Sequence, residues 1–478
     1  MADGIRTLIQ KLDETGQLKR VEGADWNIEI GAISNLMDEH PGFALLFDKV
    51  KDYPEGYRLV SNILDTTFAQ RFIYNIPQGL SNIEVIRYWK DKWSTYKPAP
   101  SAEVKTGPVM ENVITGDNIN ILKFPVPKYH ELDGGRYIGT GVVTITRDPD
   151  EGWINCGTYR VMVHDGKTLG FYVSPGKHAN LMRQKYWAKG ENCPVVMCFG
   201  QDPALFDMSN TKLQWGMSEL DMLGYLKGEP VEVIKGHVTG LPIPATAEIV
   251  IEGFSPPPEL DSRTEGPFGE WTGYYASGAR TEPVVYIKAI YHRDNPIIHA
   301  HPVSRASSFW YPPPLHTSAS LWNRLERAGS QGIQAVWMHG YGYRTTPVIS
   351  IKQGHLGHAK EVATLAASLT TGGAFAGKFT IVVDDDVDPT SWNDVWWAIC
   401  TRCNPENQID LTKGFLTSPL DPCVPPDKRA KGDFTQTKVI IDACKPYQWF
   451  KEFSLECKVS DEMKKRTMEK WNHLFTER

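Results

Sequence analysis

The stretch GTGVVTITRDPDEGWINCGTYRVMVHDGKTLGFYV, residues 139–173, alternates apolar runs of strand length with Asp-Pro-Asp and Asp-Gly breaks. Val, Ile, Thr, Tyr and Phe dominate those runs, and such side chains pack well on a pleated surface. The pattern continues in PVVMCFG (194–200), EPVEVIKG (229–236), AEIVIEG (247–253) and PVVYIKAIYH (283–292), each set off by Gly, Pro, Asn or Asp. Short strands at such close intervals, from about Asn112 to Pro302, predict a mainly β domain, either a barrel or a sandwich.

The flanking text is of mixed type. Upstream, helical periods run from Ile5 to Leu18 and from Ile28 to Met37, with Ile5, Leu8, Ile9 and Leu12 on one face, before the apolar run FALLFDKV (43–50). The Pro-, Ser- and Lys-rich KWSTYKPAPSAEVKTGP (92–108) looks like a linker. Downstream of WYPPPLH (310–316), helix and strand patterns alternate through LHTSASLWNRLERAG, KEVATLAASLTTG, KFTIVVDDDV and NDVWWAICTR. The expectation is an α+β multidomain protein: an N-terminal α/β domain over 1–111, the β domain over 112–310 and a C-terminal α/β domain over 311–478. A last helix carries Met463, Met468, Trp471 and Leu474 near one face, to dock on a neighbouring subunit or on its own domain.

Composition narrows the class. At 478 residues and 41% apolar content the chain exceeds what one core usually serves. The formal charge of −6 comes from 57 acidic and 51 basic residues that are interspersed, so no basic stripe exists to track a nucleic-acid backbone. No segment reaches the ~18 uncharged apolar residues of a membrane span. The start, MADGIRTLIQKLDETGQLKRV, lacks a signal-peptide apolar region, and eight scattered cysteines suit a reducing compartment, so a cytoplasmic protein is expected. Cys400 and Cys403 have C-x-x-C spacing but no second pair to complete a zinc site, and are read as thiols at a helix end.

Three segments carry chemistry. TEGPFGEWTGYY sets Glu265 and Glu270 on either side of a Gly-Pro-Phe-Gly turn that can aim both carboxylates at one place, where each raises the other's proton affinity. Taken alone, two surface acids on a solvated turn are the commoner arrangement. In WINCGTYRVMVHDGKTLGFYVSPGKHANLM, Asn155 and Arg160 face opposite sides of a strand unless a turn at Gly157 intervenes. Asn155 and His178 suit a metal and Arg160 a carboxylate, although a lone histidine is more often a core or loop residue. Glu219, in FDMSNTKLQWGMSELDMLGYLKGEPVEV, completes an Asn, His and Glu set that suits Mn²⁺ or Mg²⁺ better than zinc and leaves positions open for a phosphate oxygen. His237, His292, His355 and His358 are read as structural or surface residues.

INCGTYR, SPGKHA, MSELDMLGYLKGEPVEV, PATAEIVIEG, TEGPFGEWTGYY and VVDDDVDP followed by WNDVWWAICTRCNP, in this order from about Met1 to about Pro425, resemble the UbiD-type family of reversible decarboxylases. That family uses prenylated FMN. The resemblance implies an N-terminal α/β region, a central split β-barrel that binds the flavin, and a C-terminal α/β domain used in oligomerisation. It further implies that Asn155, His178 and Glu219 clamp Mn²⁺ (or Mg²⁺) onto the cofactor phosphate, and that Arg160, Glu265 and Glu270 form the catalytic network. Gly157, Thr158, Tyr159, Lys177, Met208 and Ser209 join the cofactor-binding set, with Lys177 where some members carry Gln. A potassium ion is implied near backbone oxygens of Met208, Ser209 and Thr211, with Cys156 and Arg402 close by, although Met-Ser replaces the commoner Ala-Ser.

Losing CO₂ from an sp² carbon requires an electron sink, which the prenylated flavin of the resembling family supplies as an azomethine ylide. The resemblance then implies that Arg160 holds the carboxylate, Glu265 tunes Arg160 and Glu270 protonates the carbon, with carboxylation as the reverse. For the substrate, Phe309, Trp310, Tyr311 and His316 form either a slot for an aromatic ring or the filling between two domains. An aromatic or heteroaromatic acid, phenolic acids included, is expected before a cinnamic-type acid. The expected partners are that acid and CO₂, a flavin prenyltransferase that supplies the cofactor, and further copies of the chain in a homodimer or homohexamer. Two other classes remain: a non-catalytic flavin-binding or assembly protein, and a decarboxylase that uses metal without flavin.

Overall fold

Strands Ile154–Gly157, Val142–Arg147, Cys193–Phe199, Ile249–Ser255, Arg280–His292, Thr168–Gly170, Val161–Val163 and Arg136–Gly139 lie side by side in that order. All pairs are antiparallel, and Asn112–Thr115 and Ser262–Glu265 add to the long Arg280–His292 strand to make ten. Ile154–Gly157 and Val161–Val163 stand six strand steps apart in this order, which would be about 29 Å in a flat sheet. Yet only Thr158, Tyr159 and Arg160 join them, a connection that reaches at most ~14 Å. The sheet therefore curls until its two ends approach, and a bulge at Glu252/Gly253 helps it bend. Of the two β architectures expected, a half-barrel split along one seam is the one found.

The computed structural model describes residues 3–40, 42–275, 278–303, 305, 314–339, 345–370, 373 and 375–474. The first helix, Ile5–Glu14, buries Ile5, Leu8, Ile9 and Leu12 as the period requires. It stops before Leu18, however, because Gly16 takes a φ of +70° and the chain turns into the strand Leu18–Glu22. That strand, Ala44–Asp48 and Arg58–Ser61 form a small sheet whose fourth member, Ile297–His299, arrives from the end of the barrel and pairs parallel with Arg58–Ser61. Part of the expected linker is likewise pinned: Ala102–Glu103 pairs parallel with Glu232–Val233.

The C-terminal sheet runs Ile333–His339, Thr346–Ile351, Phe379–Asp384, Thr435–Ala443, Ile409–Leu416, with its middle three strands parallel. Helices His358–Leu369 and Trp392–Arg402 serve as the crossovers that parallel strands need. The α+β multidomain class thus matches the expectation. Nothing in the terminal helix Asp461–Trp471 is buried, so Met463, Met468 and Trp471 do not pack on their own domain. Among the described residues no helix is long and apolar enough to cross a membrane.

The first helix is bolted to the barrel by Arg6, whose Nε and Nη2 each donate to the carboxylate of Glu248 at 2.8 Å. The Glu248 side chain is fully buried and has Arg293 at 3.5 Å as its second cation. Removing Arg6 leaves that carboxylate underpaired, so Arg6→Met should cost on the order of 3 kcal/mol. A lower urea midpoint for the variant checks this, and adding Glu248→Gln should restore part of the loss.

Candidate active site

The turn 266–270 follows the strand Ser262–Glu265, and Gly266 at φ +83° lets the chain reverse. This brings Glu265 and Glu270, both buried, against the same guanidinium. Arg160 donates from Nε to Glu265 Oε1 and from Nη2 to Glu265 Oε2, both at 2.8 Å, while Nη1 donates to Glu270. Tyr137 donates its hydroxyl to Glu265 Oε1 at 3.0 Å. The Arg160 guanidinium carbon lies 4.4 Å from the Tyr172 ring centre and 5.4 Å from that of Phe268. Burial opposes the Arg160 charge, but the hydrogen bonds and charge of Glu265, with Glu270, outweigh it and hold the guanidinium above its ordinary pKa. For Glu270 burial wins: its carboxyl is pushed above the usual range, Arg160 opposing and Glu265 reinforcing the shift.

A second group gathers on the edge strand Ile154–Gly157. Two helices pack on it, His178–Ala188 and Glu219–Lys227, and each begins with a residue singled out from the sequence. Glu219 accepts a hydrogen bond at 2.7 Å from the backbone N–H of Cys156, the neighbour of buried Asn155. Burial pushes the Glu219 carboxyl up to about 8, and only backbone N–H groups, of Cys156 and its own, oppose it. Among the described residues no cation acts on this carboxylate. His178 stands edge-on to Trp153 and Trp215, both ring centres 5.4 Å away. Burial, then the charges of Lys177 and Lys212, lower its pKa, so the imidazole is neutral at neutral pH and able to ligate. The side-chain oxygen of Asn155, on the strand that both helices pack against, stands beside the Glu219 carboxylate and the His178 imidazole as a third donor type. Two oxygens and one imidazole, with a buried carboxylate lacking a cation, fit a hard divalent ion.

Several features fit a flavin beside it. A Cβ on Gly157 would meet the Tyr159 hydroxyl at 2.3 Å, so a larger residue there would push that ring aside. Thr158 donates to Asn210 Oδ1 at 2.7 Å, which ties the seam to the helix Pro203–Ser209. On that helix the buried Ser209 hydroxyl has no hydrogen-bond partner among the described residues, and Met208 and Cys156 lie in one core. Lys177 is exposed at the N-terminus of the His178–Ala188 helix.

Other singled-out residues go elsewhere. Arg402 donates to Asp384 at 3.1 Å and to Asp386 at 2.7 Å, in the ion-pair network of the C-terminal sheet. His316 has both ring nitrogens engaged, Nε2 with Asp207 Oδ2 at 2.9 Å and the Tyr74 hydroxyl at 3.0 Å, Nδ1 accepting from Trp89 at 3.2 Å. It joins the helix Leu315–Arg327 to Tyr74 at the end of Thr67–Ile73, to Trp89 of Asn82–Ser94 and to Asp207 of Pro203–Ser209. Phe309, Trp310 and Tyr311 lie outside the described residues. Cys400 and Cys403 are free thiols, and His292 and His358 bond backbone groups. Sequence reasoning missed Tyr137, Tyr172, Asp133 and Arg280. The Arg280 guanidinium carbon is 4.0 Å from the Tyr172 ring centre and its charge acts on Glu270. Its only local signal was the strand register that sets it opposite Glu265.

The chain matches three domains of UbiD, the 3-octaprenyl-4-hydroxybenzoate carboxy-lyase: the N-terminal domain over residues 9–72, the Rift-related domain over 101–306 and the C-terminal domain over 315–443. It is 31% identical over 455 residues to a phenolic acid decarboxylase of Bacillus subtilis (strain 168), covering 92% of each chain. A pyrrole-2-carboxylic acid decarboxylase of Pseudomonas aeruginosa is 30% identical over 467 residues, 93% of this chain and 91% of that one. Among solved structures, an evolved dimeric form of the UbiD-class enzyme HmfF from Pelotomaculum thermopropionicum in complex with prFMN aligns with a TM-score of 0.81 at 27% identity, covering 97% of this chain and 98% of that one. Three matched domains in order and likeness along nearly the whole length have one reading: the chain belongs to the UbiD family of carboxy-lyases.

Proposed function

We propose that this protein is a reversible decarboxylase of aromatic or heteroaromatic acids that works with prenylated FMN and a divalent metal. The observation that carries the reading is the buried Arg160 held by Glu265 and Glu270. The pyrrole-2-carboxylic acid named for one relative supports a ring acid over a cinnamic-type acid, and the phenolic acids named for another support an aromatic substrate. When bound, prenylated FMN supplies the electron sink for the carbon that loses CO₂. Asn155, His178 and Glu219 would hold Mn²⁺ or Mg²⁺ against its phosphate, and Gly157, Thr158, Tyr159, Lys177, Met208 and Ser209 would line it. The potassium ion belongs to the proposal near Met208, Ser209 and Thr211.

Three of the five Arg160 N–H donors serve Glu265 and Glu270, which leaves one on each terminal nitrogen for a substrate carboxylate. Glu265 fixes the guanidinium plane from behind, so the carboxylate meets a preset fork. Glu270 carries the proton that replaces CO₂ on the ring carbon, and its burial keeps the acid form available. A pure flavin binder has no use for a buried acid beside a buried arginine. The aromatic slot after Pro302, with Phe309, Trp310 and Tyr311, remains part of the proposal for substrate choice, whereas His316 has both ring nitrogens engaged within the protein. Exposed Trp392, Trp396 and Trp397 and the terminal helix suit a second copy of the chain, and a flavin prenyltransferase would supply the cofactor.

Glu270→Gln keeps shape but removes the proton, so turnover of a ring-acid panel including pyrrole-2-carboxylate should fall by roughly 10²–10⁴-fold with flavin content unchanged. Exchange of the product's ring hydrogen with deuterated solvent should fall in parallel, and wild-type rates of both would remove Glu270 from the mechanism. Because burial raises the Glu270 pKa, the acid form is complete below that raised value and is lost as pH rises through it. The wild-type profile should therefore show an alkaline limb above the ordinary glutamate range, absent from the residual activity of Glu270→Gln. His178→Ala should lower both metal and flavin content on purification, as metal analysis and flavin absorbance will read. Full complements of both would return His178 to a packing role.

A further inference from the structure

Resting on the assignment of Glu270 as the acid, we infer that Asp133, clamped by His130, is a positioning residue that holds the turn bearing Glu270 in its proton-delivering place. The Asp133 side chain is fully buried and the His130 ring lies against it. Its Oδ1 accepts from the backbone N–H of Gly269 at 2.9 Å, across 136 residues of sequence. Its Oδ2 accepts from the backbone N–H of His130 at 3.0 Å, with His130 Nδ1 at 3.2 Å. The next residue repeats the contact, since Gly134 N–H donates to the Pro267 carbonyl at 2.8 Å.

The segment 133–137 thus touches the catalytic turn at every second residue of that turn, 265, 267 and 269. Tyr137 bonds Glu265, Gly134 bonds Pro267, and Asp133 bonds Gly269. Leu132 N–H donates to the Tyr275 hydroxyl at 3.3 Å just beyond. The two strands of chain pass so closely that a Cβ on Gly134 would meet the Gly266 carbonyl oxygen at 2.0 Å, and one on Gly269 would meet His130 Nδ1 at 2.7 Å. On its far side, Glu270 N–H donates to the Tyr274 carbonyl at 3.1 Å. Glu270 therefore leaves a backbone gripped on both sides, and the grip on the near side is a carboxylate whose desolvation is offset chiefly by these N–H groups. A turn free to shift by an ångström would misplace the proton and slow its transfer.

Asp133→Asn keeps the volume but turns one oxygen into a donor facing the N–H of Gly269 or of His130. In enzyme loaded with prenylated FMN, kcat for pyrrole-2-carboxylate, or for the best acid of the panel, should fall about 10- to 100-fold while KM changes by less than about 3-fold. Solvent exchange should fall with kcat, and flavin and metal content should stay at wild-type levels. His130→Phe, which keeps a ring against Phe268 and Tyr275, should show a smaller loss of the same kind, and decides the matter if Asp133→Asn does not fold. The cycle with Glu270→Gln separates roles: an Asp133 that acts only through Glu270 adds no further loss in that background. Losses that multiply, a loss that tracks missing flavin, or wild-type kcat in both variants would overturn the positioning role. A fully active Glu270→Gln would overturn the acid assignment and this role with it, whereas an inactive Glu270→Gln beside a fully active Asp133→Asn sinks the positioning role alone.

Discussion

Three residues, Thr158, Tyr159 and Arg160, join two strands that stand at nearly opposite ends of a ten-stranded sheet. A flat sheet cannot satisfy that connection, because its ends would lie about twice as far apart as the link can reach. Curling answers the constraint and at once creates a seam with unpaired strand edges. Asn155 ends on one edge and Arg160 on the approach to the other, so five residues of chain carry two side chains to different jobs. The connection Thr158–Arg160 that follows Gly157 is also the link that closes the barrel.

Charge is handled in two opposite ways at that seam. Arg160 is buried but wrapped by two carboxylates and two aromatic rings, and its charge is kept by pairing. Glu219 is equally buried and has backbone N–H groups for company, which leaves its carboxyl pushed up to about 8. The first arrangement is complete within the protein. The second becomes complete only when something brings positive charge, which is why the metal proposal rests on Glu219 more than on the histidine. Buried polar groups elsewhere are satisfied locally: Arg6 meets Glu248 between the first helix and the barrel, and His316 meets Asp207 and Tyr74 between helices far apart in sequence. These knots set how the domains sit around the seam.

What the sequence by itself determined was everything that short-range periodicity encodes. Period-two runs of Val, Ile and Tyr became barrel strands, the Ile5, Leu8, Ile9 and Leu12 stripe became a buried helix face, and Gly266, Pro267 and Gly269 became a turn. Each depends on φ, ψ preferences and on which side of one element is apolar. The EGPFGE and INCGTYR segments mark the site through their resemblance to the family. The strand pattern left barrel and sandwich open, and the resemblance pointed to the barrel; tertiary structure alone decided that Ile297–His299 returns to the N-terminal sheet and that Asp133, Tyr137 and Arg280 surround the glutamates. Those contacts join residues that are often more than a hundred positions apart. No local preference specifies them, because the free energy that selects them comes from burying groups together and pairing their hydrogen bonds once the sheet has curled.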